Sequence, residues 1–193
     1  MLLIIRQTSV LLLLLTLLLG GLYPALVTVI AQQVFPYRAS GSFITDHAGN
    51  KKGSALIGQS FSRPDYFWGR LSATSPVPYN AASSSGSNLS NSHPDLLKTV
   101  DARILALEAA DPENKNPVPV DLVTASASGL DPHISIAAAH YQASRVAQAR
   151  QLPIEKVLSL INQCTEARLM GIMGEPVVNV LQLNVALDEH ATH

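Results

Sequence analysis

Residues 10–31 read VLLLLLTLLLGGLYPALVTVIA, and no Asp, Glu, Lys, Arg or His occurs anywhere from Gln7 to Tyr37. A bilayer hydrocarbon core of about 30 Å needs about 20 helical residues at about 1.5 Å each, so this stretch is long enough to cross a membrane. Pro24 lies inside it. In water that proline would break a helix, whereas in lipid the freed carbonyl can be re-satisfied locally, and an irregularity is expected near Gly20-Gly21. The competing reading is a signal peptide cleaved after Val29-Ile30-Ala31. A signal core is usually about 7–15 apolar residues, so the greater length here favours an uncleaved anchor.

The organisation that follows is a cytoplasmic tail over 1–8, a transmembrane helix over 9–31 along which Val10, Leu15, Gly20, Pro24 and Ile30 are spaced, and an extracytoplasmic domain over 32–193. The orientation rests on a short leading tail that stays inside easily. Charge decides little, because Arg6 precedes the helix while Arg38, Lys51 and Lys52 follow it.

At 193 residues in all, the part beyond the helix is the size of one compact domain. The formal net charge is −1 and Lys51-Lys52 is the sole basic pair, so no stripe exists to neutralise nucleic-acid phosphates. Cys164 is the one cysteine, which excludes an intramolecular disulfide and the usual thiolate metal sets.

The domain reads as α+β, with a few short strands and about four helices. Gly41–Thr45 and Gly53–Ile57 are expected strands around a Gly49-Asn50 turn, burying Ala55, Leu56 and Ile57. Tyr66-Phe67-Trp68 is the densest aromatic cluster and reads as core. Ser72–Ser92, rich in Ser, Asn, Ala, Gly and Pro, reads as a long loop. A helix starts at Pro94 and carries Leu96, Leu97, Val100, Ile104 and Leu107 on one face. Pro117–Val123 reads as extended. Asp131-Pro132 reads as cap and first residue of a helix running to about Arg150, with Ile134, Ala138, Tyr141, Val146 and Ala149 inward and Gln142, Arg145 and Gln148 available to solvent or a partner. Pro153 starts another helix, to about Cys164, burying Ile154, Val157, Leu158 and Ile161. A turn over Gly171–Pro176 leads to Val177–Leu187, which is apolar enough for either strand or helix, with a last helix capped by Asn179 the favoured reading.

Little of this carries catalytic chemistry. Ser126, Ser128, Asp131 and His133 are crowded in sequence, but a hydrolytic triad needs groups converging from separate positions. His133 and His140 could share a helix face at i, i+7, yet two histidines without carboxylate or thiolate neighbours make a poor metal site. The glycines fit neither a Rossmann fingerprint nor a Walker loop.

The segment Val123-Thr-Ala-Ser-Ala-Ser-Gly-Leu-Asp-Pro-His-Ile-Ser135, followed by Gln142, Arg145-Val-Ala147 and Arg150, resembles the KdpC family, the C subunits of bacterial potassium-transporting Kdp ATPases. The likeness extends to Gly21-Leu-Tyr-Pro24, Gly53-Ser-Ala-Leu-Ile-Gly-Gln59 with Phe61, Gly69-Arg70, Gly86-Ser-Asn88, Gly174-Glu-Pro176, Val178-Asn-Val-Leu181, Leu183-Asn184 and Leu187-Asp188. Nearly the whole chain is matched in order. Leu71 departs from the family pattern, which usually continues Gly-Arg-Pro-Ser, and Ser83-Ser-Ser85 is richer in serine than usual.

The resemblance implies a non-catalytic accessory subunit of a high-affinity potassium uptake complex in the bacterial inner membrane. Its implied partners are a channel-like potassium-translocating subunit, a P-type ATPase subunit and a very small membrane subunit. ATP and potassium are handled by the complex, and no cofactor or metal is expected on this chain. The family role is described as a catalytic chaperone that raises the ATP affinity of the pump subunit, which an exported domain can do only indirectly. The expected partner-contact residues are Ser126, Ser128, Asp131, His133, Gln142 and Arg145. The alternative from another class is a membrane-anchored extracytoplasmic hydrolase using Ser128 and His133.

Overall fold

The computed structural model describes residues 1–191. Residues 192 and 193, the end of the expected 32–193 domain, lie outside the described residues. The chain forms two compact units, one over 1–43 and one from Ile44 onward.

The first unit is dominated by a 33-residue helical run, Leu2–Val34. It comprises α1 (Leu2–Leu17), a wide π turn (Leu18–Leu22) and α2 (Tyr23–Val34). Proline chemistry accounts for the irregularity expected at Gly20-Gly21. Pro24 has no N–H to give the carbonyl four residues back, and the Tyr23 N–H reaches instead to the Leu18 carbonyl, five residues back. The helix begins at Leu2, so residues 2–8, Arg6 among them, are helical and continuous with the apolar stretch. A single helical turn, α3 (Pro36–Ala39), follows.

The second unit is a mixed α+β domain. Its first strands, β1 (Phe43–Thr45) and β2 (Lys51–Ser54), form a hairpin. The turn between them is tied by the Asp46 carboxylate, which accepts the Asn50 backbone N–H at 2.8 Å. The second strand thus ends earlier than expected, and Leu56 lies exposed beyond it. Phe67 and Trp68 are buried as core residues, on an irregular segment. The Ser72–Ser92 region is a long loop save for a single bridge residue just before it, Leu71, paired with Ala125.

Four substantial helices follow as expected: α4 (Pro94–Ala110), then after the single turn α5 (Val120–Val123) come α6 (Ile136–Arg150), α7 (Ile154–Gln163) and α8 (Val180–Ala191). Segment 117–123 is therefore only half extended. On α4, Leu107 is buried but Leu97 faces solvent. On α7, Val157, Leu160 and Ile161 form the buried stripe, with Ile154 at its edge.

Two elements correct the expected helix starts. Residues His133–Ser135 are a strand, β3, and Val177–Asn179 another, β5; with β4 (Thr165–Glu166) they make a three-stranded sheet in the order β3-β5-β4, antiparallel throughout. Pairing sets Ile134 opposite Val178, and both side chains are buried. The helix cap is Ser135, whose Oγ accepts the Ala138 N–H at 3.0 Å, and Asp131-Pro132 lies outside the helix. Asn179 does cap the last helix, its Oδ1 accepting the Gln182 N–H at 3.1 Å, but the helix begins only at Val180. The core gathers Phe67, Leu107, Leu122, Ile134, Val157, Leu160, Ile161 and Leu183 around α6.

Candidate functional site

The segment that carries the family resemblance folds into a hub where distant parts of the domain meet. Turn residues 126–130 are clamped by the long loop on one side. The Ser128 carbonyl accepts the Ser85 N–H at 3.1 Å and the Ser84 hydroxyl at 2.9 Å. Ser72 Oγ donates to the Gly129 carbonyl at 2.7 Å and accepts the Tyr79 N–H at 2.9 Å. On another side, the Gly58 N–H donates to the Leu130 carbonyl at 2.8 Å. Gly129 is required twice over: its φ is +67°, and a Cβ there would lie 2.6 Å from Thr74 Cγ2 and 2.7 Å from the Ser85 carbonyl oxygen. Gly86 is needed for space alone, since a Cβ would meet the Ala127 carbonyl at 2.8 Å.

Beside the turn runs a chain of charges. Arg70 Nη1 lies 3.2 Å from Asp131 Oδ2 and its Nη2 donates to the Ala125 carbonyl at 3.3 Å. Asp131 Oδ1 accepts the His133 N–H at 3.0 Å and sits 3.5 Å from His133 Nδ1. His133 Nε2 is 3.7 Å from Glu166 Oε1 on β4. The hydrogen bond to Asp131 raises the histidine pKa above its usual value, against the opposing pull of burial, and Glu166 adds to the rise. Burial pushes the Asp131 carboxyl up, but the His133 hydrogen bonds and the Arg70 charge together outweigh it, leaving the group below the ordinary carboxylate range. The network is partly solvent-exposed and fastens strands and loop to one another.

Gln142 and Arg145 are not available to solvent; both are buried. The reason is the aromatic segment, which lies along α6 and α8 in place of a strand. Gln142 Oε1 accepts the Trp68 N–H at 2.8 Å and its Nε2 donates to the Trp68 carbonyl at 3.1 Å. Asn184 does the same for Phe67, accepting its N–H at 2.9 Å and donating to its carbonyl at 3.0 Å. Two side-chain amides thus supply the hydrogen bonds a neighbouring strand would give. Arg145 completes the arrangement: its guanidinium stacks 4.6 Å from the Trp68 ring centroid, donates to the Pro64 and Tyr66 carbonyls, and bonds Gln142 Oε1 at 2.7 Å. Burial lowers its pKa to about 10, still charged at neutral pH. Arg103 lies 4.9 Å from the same ring and donates to the Leu122 and Gly69 carbonyls. Arg150 holds the Asp65 carbonyl and, at 2.8 Å, Asp188 Oδ1.

The expected contact residues therefore divide. Ser126, Gln142 and Arg145 are interior; Asp131 and His133 are half-exposed; Ser128 is exposed. Ser128 Oγ accepts the Leu130 N–H at 3.1 Å, while His133 is engaged by Asp131 and Glu166. His133 stands on β3 and His140 on α6, so the shared helix face expected for them does not exist. Among the described residues no three His, Cys, Asp or Glu side chains gather as metal ligands. Cys164 follows α7 as its C-terminal cap, half-buried, and burial raises its thiol pKa. Asn184 enters the sequence reading only within the family resemblance, with no role, and the stacked Arg103 not at all; the spacing of polar residues on an otherwise apolar helix is the signal that points to such interior amides.

Comparison with known proteins bears on the whole chain. Residues 5–189 match the family described as KdpC: K+-transporting ATPase, c chain. The chain is 64% identical over 170 residues to the potassium-transporting ATPase KdpC subunit of Herpetosiphon aurantiacus, covering 88% of each. It is 58% identical to that of Ralstonia nicotianae, covering 96% of this chain and 91% of the relative. It is also 58% identical to that of Polaromonas naphthalenivorans, covering 96% of this chain and 94% of the relative. With its specific 123–135 block folded as a structural hub and its apolar helix preceding it, this chain belongs to the KdpC family of potassium-transporting ATPase subunits.

Proposed function

We propose that this chain is a non-catalytic accessory subunit that its helix holds in the bacterial inner membrane, with the N-terminus cytoplasmic and the domain outside. There the domain docks on a channel-like potassium-translocating subunit, in a complex that also contains a P-type ATPase subunit and a very small membrane subunit. The observation that carries this reading is the family match across residues 5–189, which takes in both helix and domain. Ser128, Asp131 and His133 line the exposed edge of the hub and are the residues assigned to partner contact. The hydrolase alternative loses support from the hub geometry, since Ser128 and His133 are each engaged by other groups.

In this reading the subunit acts as a catalytic chaperone that raises the ATP affinity of the pump subunit. An external domain cannot touch cytoplasmic ATP, so the effect is carried by binding one conformation of the complex better than another; a coupling of about 1–3 kcal/mol is typical and suffices for a several-fold change. Two experiments test it. Removal of this chain abolishes potassium-dependent ATP hydrolysis by the purified complex, and full activity without it refutes the subunit role. In a background with Cys164 replaced, Ser87→Cys is labelled by an impermeant thiol reagent in spheroplasts; labelling only after lysis reverses the assigned orientation.

A further inference from the structure

Between β4 and β5 the chain reads Arg168-Leu-Met-Gly-Ile-Met-Gly-Glu175. It forms a hairpin tip with ordered backbone: the Leu169 N–H donates to the Met173 carbonyl at 2.8 Å, and the Met173 N–H returns to the Leu169 carbonyl at 3.0 Å. Arg168 Nη2 and Glu175 Oε2 close the base at 2.7 Å. All four large apolar side chains point away from the domain, with Leu169 65%, Met170 86%, Ile172 77% and Met173 59% exposed. Elsewhere among the described residues from Ile44 onward, exposed large apolar residues such as Leu56, Leu105 and Val120 stand singly, as is ordinary for a soluble surface. A run of four in five residues, rimmed by an ion pair, marks an interaction site.

Two further features fit use of the tip in recognition. Met170 and Gly171 have φ of +53° and +77°, the pair of values for which Asn-Gly is the favoured sequence. A methionine there sacrifices backbone preference for an apolar, adaptable side chain suited to filling a pocket. Charge separates the possible occupants. Glu166, Arg168 and Glu175 give the hairpin one basic and two acidic residues, a net −1, and it has no aromatic residue. Segments that lie in lipid headgroups carry an excess of Lys or Arg that pairs with anionic lipid, and the net −1 of this hairpin makes such a surface a poor match. An uncharged apolar pocket on a protein is a good one.

We infer that the Leu169–Met173 tip is a docking plug that enters an uncharged, apolar pocket on the channel-like potassium-translocating subunit. The inference rests on the proposed assembly with other pump subunits and adds the surface by which the domain engages them. The ion pair at the base keeps the tip neutral where it would be buried, and the hairpin presents it already folded.

The test uses the whole complex. A tagged chain carrying M170N, I172T and M173T together is compared with the unaltered one for recovery of the other pump subunits from detergent-solubilised membranes. Asn at 170 suits the left-handed backbone, so the hairpin is retained. Recovery is expected to fall at least tenfold. Separately, a photoreactive benzophenone amino acid at position 172 in the otherwise unaltered chain is expected to give an adduct with the mass of this chain plus the channel-like subunit. Undiminished recovery by the triple variant overturns the plug, as does an adduct only with a different pump subunit, only with lipid, only with a second copy, or none. If the unaltered chain itself recovers no pump subunits, the assembly reading falls and the plug with it.

Discussion

Gln142 shows how a residue that sequence pattern assigns to solvent can be structural. At helical spacing a glutamine beside Arg145 looks like an exposed stripe, and only the docking of the aromatic segment, 74 residues away in sequence, turns both inward. Gln142→Ala leaves the Trp68 N–H and carbonyl buried without partners, a loss of about 2–6 kcal/mol at about 1–3 per orphaned group. Gln148→Ala, on the exposed side of the same helix, changes stability by less than about 0.5 kcal/mol. Denaturant unfolding of the full chain in detergent measures both; equal effects would deny the inward role. His133 provides the second residue-level expectation. Its folded pKa lies above its ordinary value of 6.5, so its stabilising contribution is present in full below that pH and is lost as pH rises through the raised value. Stability of the unaltered chain therefore declines as the pH rises from 6.5 through the raised value, and His133→Gln flattens that decline. Asp131 acts oppositely in acid: its depressed pKa means that its contribution holds above 3.8 and disappears as the pH falls through the lowered value.

At the scale of elements, the long loop is held by the turn it faces. Gly129→Ala puts a methyl into Thr74 and the Ser85 carbonyl at a positive φ, so it costs roughly 1–3 kcal/mol and releases residues 72–86 from their clamp. Limited proteolysis is expected to cut the variant within this loop well before the unaltered chain, while the helices stay intact; unchanged cutting would show the clamp to be dispensable. Which elements were legible follows from which forces are local. Helices α4 and α7 were visible because proline at the start and apolar spacing of three and four residues are properties of the segment itself. Helix α6 is legible, but its start is not: the Asp131 carboxylate accepts an N–H two residues on, the same local chemistry as a helix cap. What distinguishes the two is β5, whose Val178 pairs with Ile134 from 44 residues further along the chain, and strand pairing across such a separation leaves no mark on a short segment. The hub was legible as a specific sequence block, whereas its division into interior and exposed residues was not.

For the whole molecule, the helix and the domain make separable contributions. Every side chain of the hydrophobic core cluster comes from Phe67 or later, with Phe61 at its margin, so the domain carries its own core. A chain lacking residues 1–43 is therefore expected to fold with a melting temperature within a few degrees of the full chain. It should nevertheless fail to sustain the pump when added at micromolar concentration. A short tether confers an effective concentration on the order of millimolar, and a docking contact weak enough to need that tether stays largely empty without it. Raising the free domain toward millimolar concentration should restore potassium-dependent ATP hydrolysis in a complex purified without this chain. If micromolar domain restores full activity, the helix is dispensable for docking. If no concentration restores any, the helix itself supplies an interaction the pump requires, and the π turn at Leu18–Leu22 becomes the place to seek it.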